Sequence, residues 1–184
     1  MSDRAILVGR FQPFHLGHRK IVEEYRDKFD LVIGIGSAGE KGSEDNPLSF
    51  EDRKEIIQAC YPDIEIVGIE DYSKDEEGDM KWLEELKKKA SPNKVISGNK
   101  LVKKLVEEDS NLELVEQEMY DPGIYSGTEV RRRIKSGEEW RYLVAECAED
   151  AIADRLDKIK ESGIQYEFEP GWKKKNSYHD TYEK

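Results

Sequence analysis

A short apolar run, Ala5 to Val8, leads directly into the sequence GRFQPFHLGH at residues 9–18. The run has the length and composition of a buried strand, and apolar residues at helical spacing follow at Ile21, Val22 and Tyr25. A helix that starts straight after a strand exposes its first N–H groups, and the helix dipole adds about half a positive charge there. The stretch therefore predicts a parallel α/β sheet with an anion site at the carboxyl edge of its first strand.

Three side chains in this stretch are suited to phosphate. His15 and His18 are two of the three histidines in the chain, and within one turn their imidazoles can converge on a phosphate held by the helix N–H groups. Arg10 adds a permanent charge with a forked donor geometry. Metal ligation is not indicated, because it needs further ligands at suitable spacing and His179 lies far along the chain. Taken alone, the histidine pair fits two partly buried residues in a turn equally well.

Charge and cysteine content narrow the function further. The formal net charge of −11 argues against nucleic acid as the main partner, because binding to a phosphate backbone needs a basic surface. No apolar run approaches membrane-spanning length and nothing at the N-terminus resembles a signal peptide, so we expect a cytoplasmic protein with no membrane partner. Cys60 and Cys147 are isolated in sequence, which argues against a disulfide scaffold and suits a reducing compartment.

Apolar runs alternate with helical patterns along the rest of the chain. Runs at residues 31–35, 64–69, 94–96 and 112–115 predict four more strands. The order favours a Rossmann-like, doubly wound parallel sheet of about five strands, with helices on both faces and a C-terminal helix from about Val144 to Ile159. Residues 73–79, dense in carboxylates, predict a solvated loop. Residues 1–163 form the predicted single domain, and residues 164–184 a tail that is mobile or at a subunit contact.

A second helix start occurs in the sequence YSGTEVRRR at residues 125–133. Ser126 and Glu129 have the spacing of a capping box, and the Thr128 hydroxyl adds to the anion-binding amides. The three arginines at 131–133 lie about 100° apart around the helix, so at most one or two can face one ligand. Two such helix starts suggest a pocket that holds a polyphosphate from both ends. Arg53, among carboxylates on another predicted helix, fits a solvated helix face.

The sequence resembles the archaeal type of nicotinamide-nucleotide adenylyltransferase, in the nucleotidylyltransferase superfamily. The matching pieces span about Arg4 to Asp154 and read GRFQPFHLGH, GIGSA, NPLSFEDR, ISGNKLV and YSGTEVRRR. The first marks the superfamily, and SGN-x-LV with YSGTEVRRR is more particular to this branch. The resemblance implies transfer of AMP from ATP to nicotinamide mononucleotide, which gives NAD and pyrophosphate. It also implies a homo-oligomer, with a hexamer as the expected form.

The resemblance assigns roles by matched position. His15, His18, Arg10 and Arg131 form the implied catalytic set, with His18 nearest the transferring phosphoryl group. The implied ATP and phosphate contacts are Gly9, Arg10, Phe11, His15, His18, Arg53, Ser126, Thr128 and Arg131. Those to the nicotinamide nucleotide are Gly36, Ser37, Trp82, Gly98 and Asn99. The implied metal is Mg²⁺ carried in by ATP and held mainly by phosphates and water, since no carboxylate cage is evident.

Two other interpretations stay open at this point. One is a sister transferase that passes AMP or CMP to phosphopantetheine or flavin mononucleotide, which SGNKLV and Trp82 speak against. The other is a nucleotide sensor without catalysis, which the intact set of arginines and histidines speaks against. The sequence leaves open whether nicotinamide or nicotinic acid mononucleotide is preferred.

Overall fold

Five parallel strands form the centre of the molecule. The computed structural model describes residues 3–117 and 120–164. The strands are β1 (Arg4–Gly9), β2 (Asp30–Ile35), β3 (Glu65–Gly68), β4 (Lys94–Ser97) and β5 (Glu113–Glu116). They pair in the order β3-β2-β1-β4-β5, and every pairing is parallel. The predicted doubly wound, Rossmann-like sheet is confirmed.

Seven α-helices cover the two faces of the sheet within the described ranges. They are α1 (Leu16–Tyr25), α2 (Phe50–Gln58), α3 (Glu76–Ala90), α4 (Lys100–Glu108), α5 (Gly127–Ser136), α6 (Glu146–Ala153) and α7 (Leu156–Glu161). In β1, the side chains of Ala5 and Leu7 pack with α1, α2, α5 and the C-terminal helices. Ile6 points the other way and packs with α3 and α4. Because helices cover both faces of the sheet, the strands consist of unbroken runs of apolar residues.

Two predicted elements differ in the structure. The C-terminal helix is interrupted after Ala153 and resumes at Leu156. At the break the Arg155 guanidinium donates to Ala151 O, the acceptor that a continuous helix would pair with the Arg155 N–H, and to the Asp52 carboxylate. The acidic stretch at 73–79 is a loop only in its first half. Asp75 caps α3 by accepting from the Gly78 N–H at 2.8 Å, and the carboxylates after it lie in the first helical turn, where they complement the helix dipole.

The two cysteines are joined, contrary to the expectation from their spacing. Cys60 and Cys147 form a disulfide with a Cα–Cα distance of 5.2 Å across a sequence separation of 87. The expectation rested on local spacing, which gives no sign that α6 packs on the end of α2. No helix among the residues that the structure describes is both long and apolar enough to cross a membrane. The predicted tail, apart from Ile164, lies outside the described residues.

Ion pairs connect the same two regions of the chain. The Asp52 carboxylate accepts hydrogen bonds from Arg155 and Lys158. It also completes the predicted capping box of α2 with Ser49. Partial burial opposes ionisation, but the hydrogen bonds from Lys158, Ser49 and Arg155 lower the pKa of Asp52 to about 2. Helix α2 is therefore fixed to the C-terminal helices by charge as well as by the disulfide.

The strand order locates the binding crevice. β1 lies between β2 and β4, so the chain leaves β1 toward one side of the sheet and later returns to the other side. Connections that diverge in this way open a crevice at the carboxyl ends of the two central strands, and ligands of open α/β sheets bind there. The stretch at residues 9–18 follows β1 at that point.

Candidate active site

A cavity of about 890 Å³ lies at the carboxyl edge of the sheet. Residues that follow β1, β2, β3 and β4 form its wall, together with the start of α5. The wall includes every residue of the predicted site except Arg53, namely Gly9, Arg10, Phe11, His15, His18, Gly36, Ser37, Trp82, Gly98, Asn99, Ser126, Thr128 and Arg131. The starts of α1 and α5, more than a hundred residues apart in sequence, therefore line one cleft. A polyphosphate bound at both helix starts requires this arrangement.

The two histidines stand side by side at the start of α1. Their ring centroids are 3.7 Å apart, and Phe11 and Phe14 pack against His18. The His15 backbone N–H donates to His18 Nδ1 at 3.4 Å, so the neutral His18 ring carries its hydrogen on Nε2. The buried Nδ1 atom of His15 has no hydrogen-bond partner among the described residues. His18 Nε2 therefore remains available to a ligand in the cavity.

Burial decides the charge of both rings in the free protein. It lowers the pKa of His15 to about 4. It also takes the pKa of His18 well below the ordinary value, and the proximity of His15 lowers it further. Both imidazoles are neutral at pH 7 until an anion arrives, and a nearby phosphate would then favour their protonated forms.

Replacing His15 with asparagine is expected to make the fold less sensitive to acid. The folded pKa of about 4 lies below the ordinary value of 6.5, so the unfolded chain binds more protons between these pH values. The stabilising contribution is complete above pH 6.5 and is lost as the pH falls toward 4. From pH 7 to pH 5 the loss amounts to about 2 kcal/mol for this imidazole. Urea unfolding at both pH values measures it, and an equal loss in the variant would contradict the assignment.

Arg131 connects the second helix start to the first. Its side chain is buried, and Nη1 donates to the Gln12 carbonyl at 2.8 Å. The approach is close because Gly127 has no side chain, since a Cβ there would lie 2.6 Å from the same carbonyl oxygen. Burial lowers the pKa of Arg131, and the positive charge of Arg10 lowers it further, whereas the negative charge of Asp45 raises it. The two arginines therefore share one electrostatic site.

The neighbouring arginines on α5 have other partners. Glu129 accepts hydrogen bonds from both Arg132 and Arg133, and Arg132 also pairs with Glu138. Ser126 accepts from the Glu129 N–H at 3.1 Å, but the Glu129 carboxylate is turned to the arginines, so only half of the predicted capping box forms. Of the three arginines, Arg131 alone lines the cavity.

Arg53 does not reach the cavity, so the implied phosphate contact does not fit its position. It is fully buried, and its guanidinium donates to backbone carbonyls at the ends of β1 and β2. The pattern of surrounding carboxylates suggested an exposed helix face, but Asp52 is turned to the C-terminal helices. Burial lowers the pKa of Arg53 to about 10, which leaves it charged at neutral pH.

Aromatic side chains form another part of the cavity wall. Trp82 on α3 is half-buried and lines it together with Tyr72 and the stacked pair Tyr120 and Tyr125. Asn99 caps α4 through Oδ1, which accepts from the N–H groups of the next turn, so a ligand contact would use its Nδ2. The three tyrosines were not predicted. Tyr72 follows the end of β3, and this placement at the binding edge was the available signal.

Gln12 also lines the cavity, and no pattern in the sequence marked it as a site residue. Its side chain exchanges two hydrogen bonds with the backbone of Leu48, and its carbonyl accepts from Arg131. It therefore joins the turn after β1 to two other segments. No group of three or more His, Cys, Asp or Glu suited to a metal ion occurs in the part of the chain that the structure describes.

The family described as cytidylyltransferase-like matches residues 6–133. The match covers more than half of the chain, and the chain belongs to this family.

Curated relatives narrow the family. The nicotinamide-nucleotide adenylyltransferase of Methanolobus tindarius is 36% identical over 174 residues, which is 89% of this chain and 98% of that one. The enzymes with the same name from Halobacterium salinarum and Archaeoglobus fulgidus are each 34% identical, over 85% of this chain and over 90% and 94% of their own lengths. This chain is a member of the nicotinamide-nucleotide adenylyltransferase family.

A solved structure agrees in fold. A bifunctional NMN adenylyltransferase/ADP-ribose pyrophosphatase from Francisella tularensis, complexed with AMP and a manganese ion, superposes with a TM-score of 0.69 at 20% identity. The superposition covers 89% of this chain and 52% of that chain, so this chain spans about half the length of that protein.

Proposed function

We propose that the protein transfers the adenylyl group of ATP to nicotinamide mononucleotide, forming NAD and pyrophosphate. The observation that carries the proposal is the shared cleft in which His15, His18 and Arg10 at one helix start face Arg131 at another. The cavity has a volume of about 890 Å³, and its wall contains both cationic side chains, which suit phosphates, and aromatic side chains, which suit bases. Curated relatives of this chain are named nicotinamide-nucleotide adenylyltransferase, the enzyme that carries out this reaction.

The residues present suit this reaction without a general base. An oxygen of the mononucleotide 5′-phosphate attacks the α-phosphorus of ATP, the bond from that phosphorus to the β-phosphate oxygen breaks, and pyrophosphate leaves. Because the nucleophile is already an anion, the protein has to align the two phosphates and stabilise charge on the transferring and leaving oxygens. His18 Nε2 and Arg10 would serve the α-phosphate, while Arg131 and the amide and hydroxyl of Thr128 would hold the departing pyrophosphate.

Several further features belong to the same proposal. ATP would enter as its Mg²⁺ complex, with the metal held by phosphates and water. We also propose a cytoplasmic homo-oligomer, with a hexamer as the expected form, which sedimentation would measure. The disulfide is an uncommon feature for that compartment, where thiols are normally kept reduced.

The direct test is a coupled assay for NAD formation from MgATP and nicotinamide mononucleotide. Nicotinic acid mononucleotide, phosphopantetheine and flavin mononucleotide serve as competing acceptors, and pyrophosphate release is followed in parallel. Pyrophosphate release with only one of the last two acceptors would assign the protein to a sister transferase. ATP binding without release of pyrophosphate from ATP, whichever acceptor is supplied, would identify the protein as a nucleotide sensor.

Replacing Trp82 with alanine is expected to raise the KM for the mononucleotide about fivefold or more, because a base stacked on an aromatic side chain gains about 1–3 kcal/mol. The kcat should change little, since the proposed contact of Trp82 is with the nicotinamide end of the mononucleotide and not with the reacting phosphates. Met80→Ala is the matched control, because Met80 is 56% exposed on the same helix and does not line the cavity. An unchanged KM in Trp82→Ala would assign the indole to packing of α3 alone.

A further inference from the structure

Arg53 makes an unusual set of hydrogen bonds beneath the cavity. Its Nη1 atom donates to the carbonyls of Arg10 at 2.9 Å and of Gly36 at 2.7 Å. Its Nη2 atom donates to the Ser37 carbonyl at 2.9 Å, and its Nε atom donates to the Ser49 carbonyl at 3.2 Å. The guanidinium is fully buried, and each of its three nitrogens is bonded to the backbone.

The carbonyls it holds adjoin two residues with left-handed backbone. Phe11 has φ of 52° and Ser37 has φ of 49°, a region that side-chain-bearing residues rarely adopt. The carbonyl of each residue shares a peptide plane with the N–H of the next. Fixing the carbonyls of Arg10 and Gly36 therefore constrains the backbone at Phe11 and Ser37. Ser37 is held on both sides, because its own carbonyl is also bonded to Arg53.

Both left-handed residues line the cavity, and Arg53 does not. Backbone in such a region persists only where the surroundings hold it. The Gly36 N–H also donates to the Gly9 carbonyl at 2.9 Å, so the two turns are connected to each other as well as to Arg53. We propose that Arg53 is a positioning residue, which fixes the turns after β1 and β2 and so sets the shape of the nucleotide-binding wall without touching the nucleotide.

The proposal rests on the proposed function for its choice of ligands, and a double-mutant cycle tests it. Arg53→Lys keeps the charge but cannot donate to all the carbonyls that the planar fork reaches. In the full chain we expect kcat/KM to fall about tenfold to a hundredfold for ATP, which is assigned to the turn at Phe11, and for the mononucleotide, which is assigned to the turn at Ser37, because small displacements of positioning groups cost that much. Adding Ser37→Gly should recover kcat/KM for the mononucleotide about threefold or more, since glycine adopts positive φ unaided.

Ser91→Gly is the matched control for the rescue. Ser91 is also a left-handed serine, with φ of 46°, but it ends α3 and does not line the cavity. Glycine there relieves the same kind of backbone strain without reshaping the site. Recovery by Ser37→Gly alone supports positioning. Equal recovery by both glycines would overturn the proposal, because it would show that Arg53 acts only through general stability, and unchanged kcat/KM in Arg53→Lys would overturn it too.

Arg53→Gln provides a second variant in case a buried lysine prevents folding, since it removes the charge and keeps a donor. Circular dichroism and a thermal melt establish that each variant is folded. Loss of the fold in both variants would overturn the proposal and assign Arg53 to the core alone. Calorimetric binding of ATP and of the mononucleotide, each alone, repeats the cycle independently of turnover. If the unaltered chain binds ATP but forms no NAD, the proposed function fails. The double-mutant cycle measured as binding constants (Kd) still tests the role of Arg53 in that case.

Discussion

Replacing His18 with alanine is expected to lower kcat for NAD formation by about 100- to 1,000-fold, the usual cost of losing one preorganised donor at a reacting centre. The physical reason is the placement of His18 Nε2. The ring is packed against Phe11 and Phe14, and its Nδ1 atom is occupied by the His15 N–H, so the other nitrogen needs no rearrangement to meet a phosphoryl oxygen. Steady-state kinetics with saturating MgATP and mononucleotide measure the loss.

Arg19→Ala is the control for this experiment. Arg19 is the next residue of α1, but it is exposed and does not line the cavity, so its removal should leave kcat close to that of the unaltered chain. A thermal melt shows whether His18→Ala keeps its fold. A kcat within a few-fold of the unaltered value would remove His18 from the reaction and leave it as a packing residue of the turn.

Replacing Arg131 with methionine is expected to lower kcat/KM for ATP by about 100-fold or more, because a cation that meets phosphate in a water-poor site has few competing solvent contacts. Arg131 is 6% exposed, and the ion pair that it forms with a described residue is a long contact of 3.4 Å to Asp45. The Michaelis constant for the mononucleotide should change much less, since the proposed contact is with the pyrophosphate portion of ATP.

The adjacent arginine gives a closely matched comparison. Arg132→Met removes the same charge one position along α5, but Arg132 is exposed and paired with Glu129 and Glu138. Exposed pairs of this kind contribute about 1 kcal/mol or less, so we expect ATP kinetics within about twofold of the unaltered chain. Equal losses in the two variants would show that α5 contributes a general positive field, and the two-ended phosphate site would be abandoned.

The sequence predicted the sheet and the turn that carries the two histidines because both depend on local patterns. Unbroken apolar runs mark strands covered on two faces, and the GRFQPFHLGH stretch places His15 and His18 within one turn of each other. The helical spacing of the three arginines limited how many could face a ligand but not which one. The structure selects Arg131, because the Glu129 carboxylate draws the other two toward the surface.

The predictions that failed depended on contacts between distant segments. Nothing near Cys60 in sequence indicates that α6 packs beside it. Arg53 lies among carboxylates typical of a solvated helix face. Its guanidinium nevertheless donates to the carbonyls of Arg10 and Gly36, which follow β1 and β2 and lie 43 and 17 positions earlier in the sequence. The break at Arg155 has the same origin, since Asp52 lies on another helix. Such pairings are determined by tertiary packing, which a single sequence does not display.

The bond from Arg131 to the Gln12 carbonyl spans 119 positions of the chain, and this has a consequence for biosynthesis. Domains form as the ribosome delivers them, from the amino end onward. A nascent polypeptide that stops short of α5 carries the histidine pair but lacks the opposing guanidinium and the apolar residues Val130 and Ile134 that cover its interior. We therefore expect the complete phosphate site to form only after α5 has been synthesised.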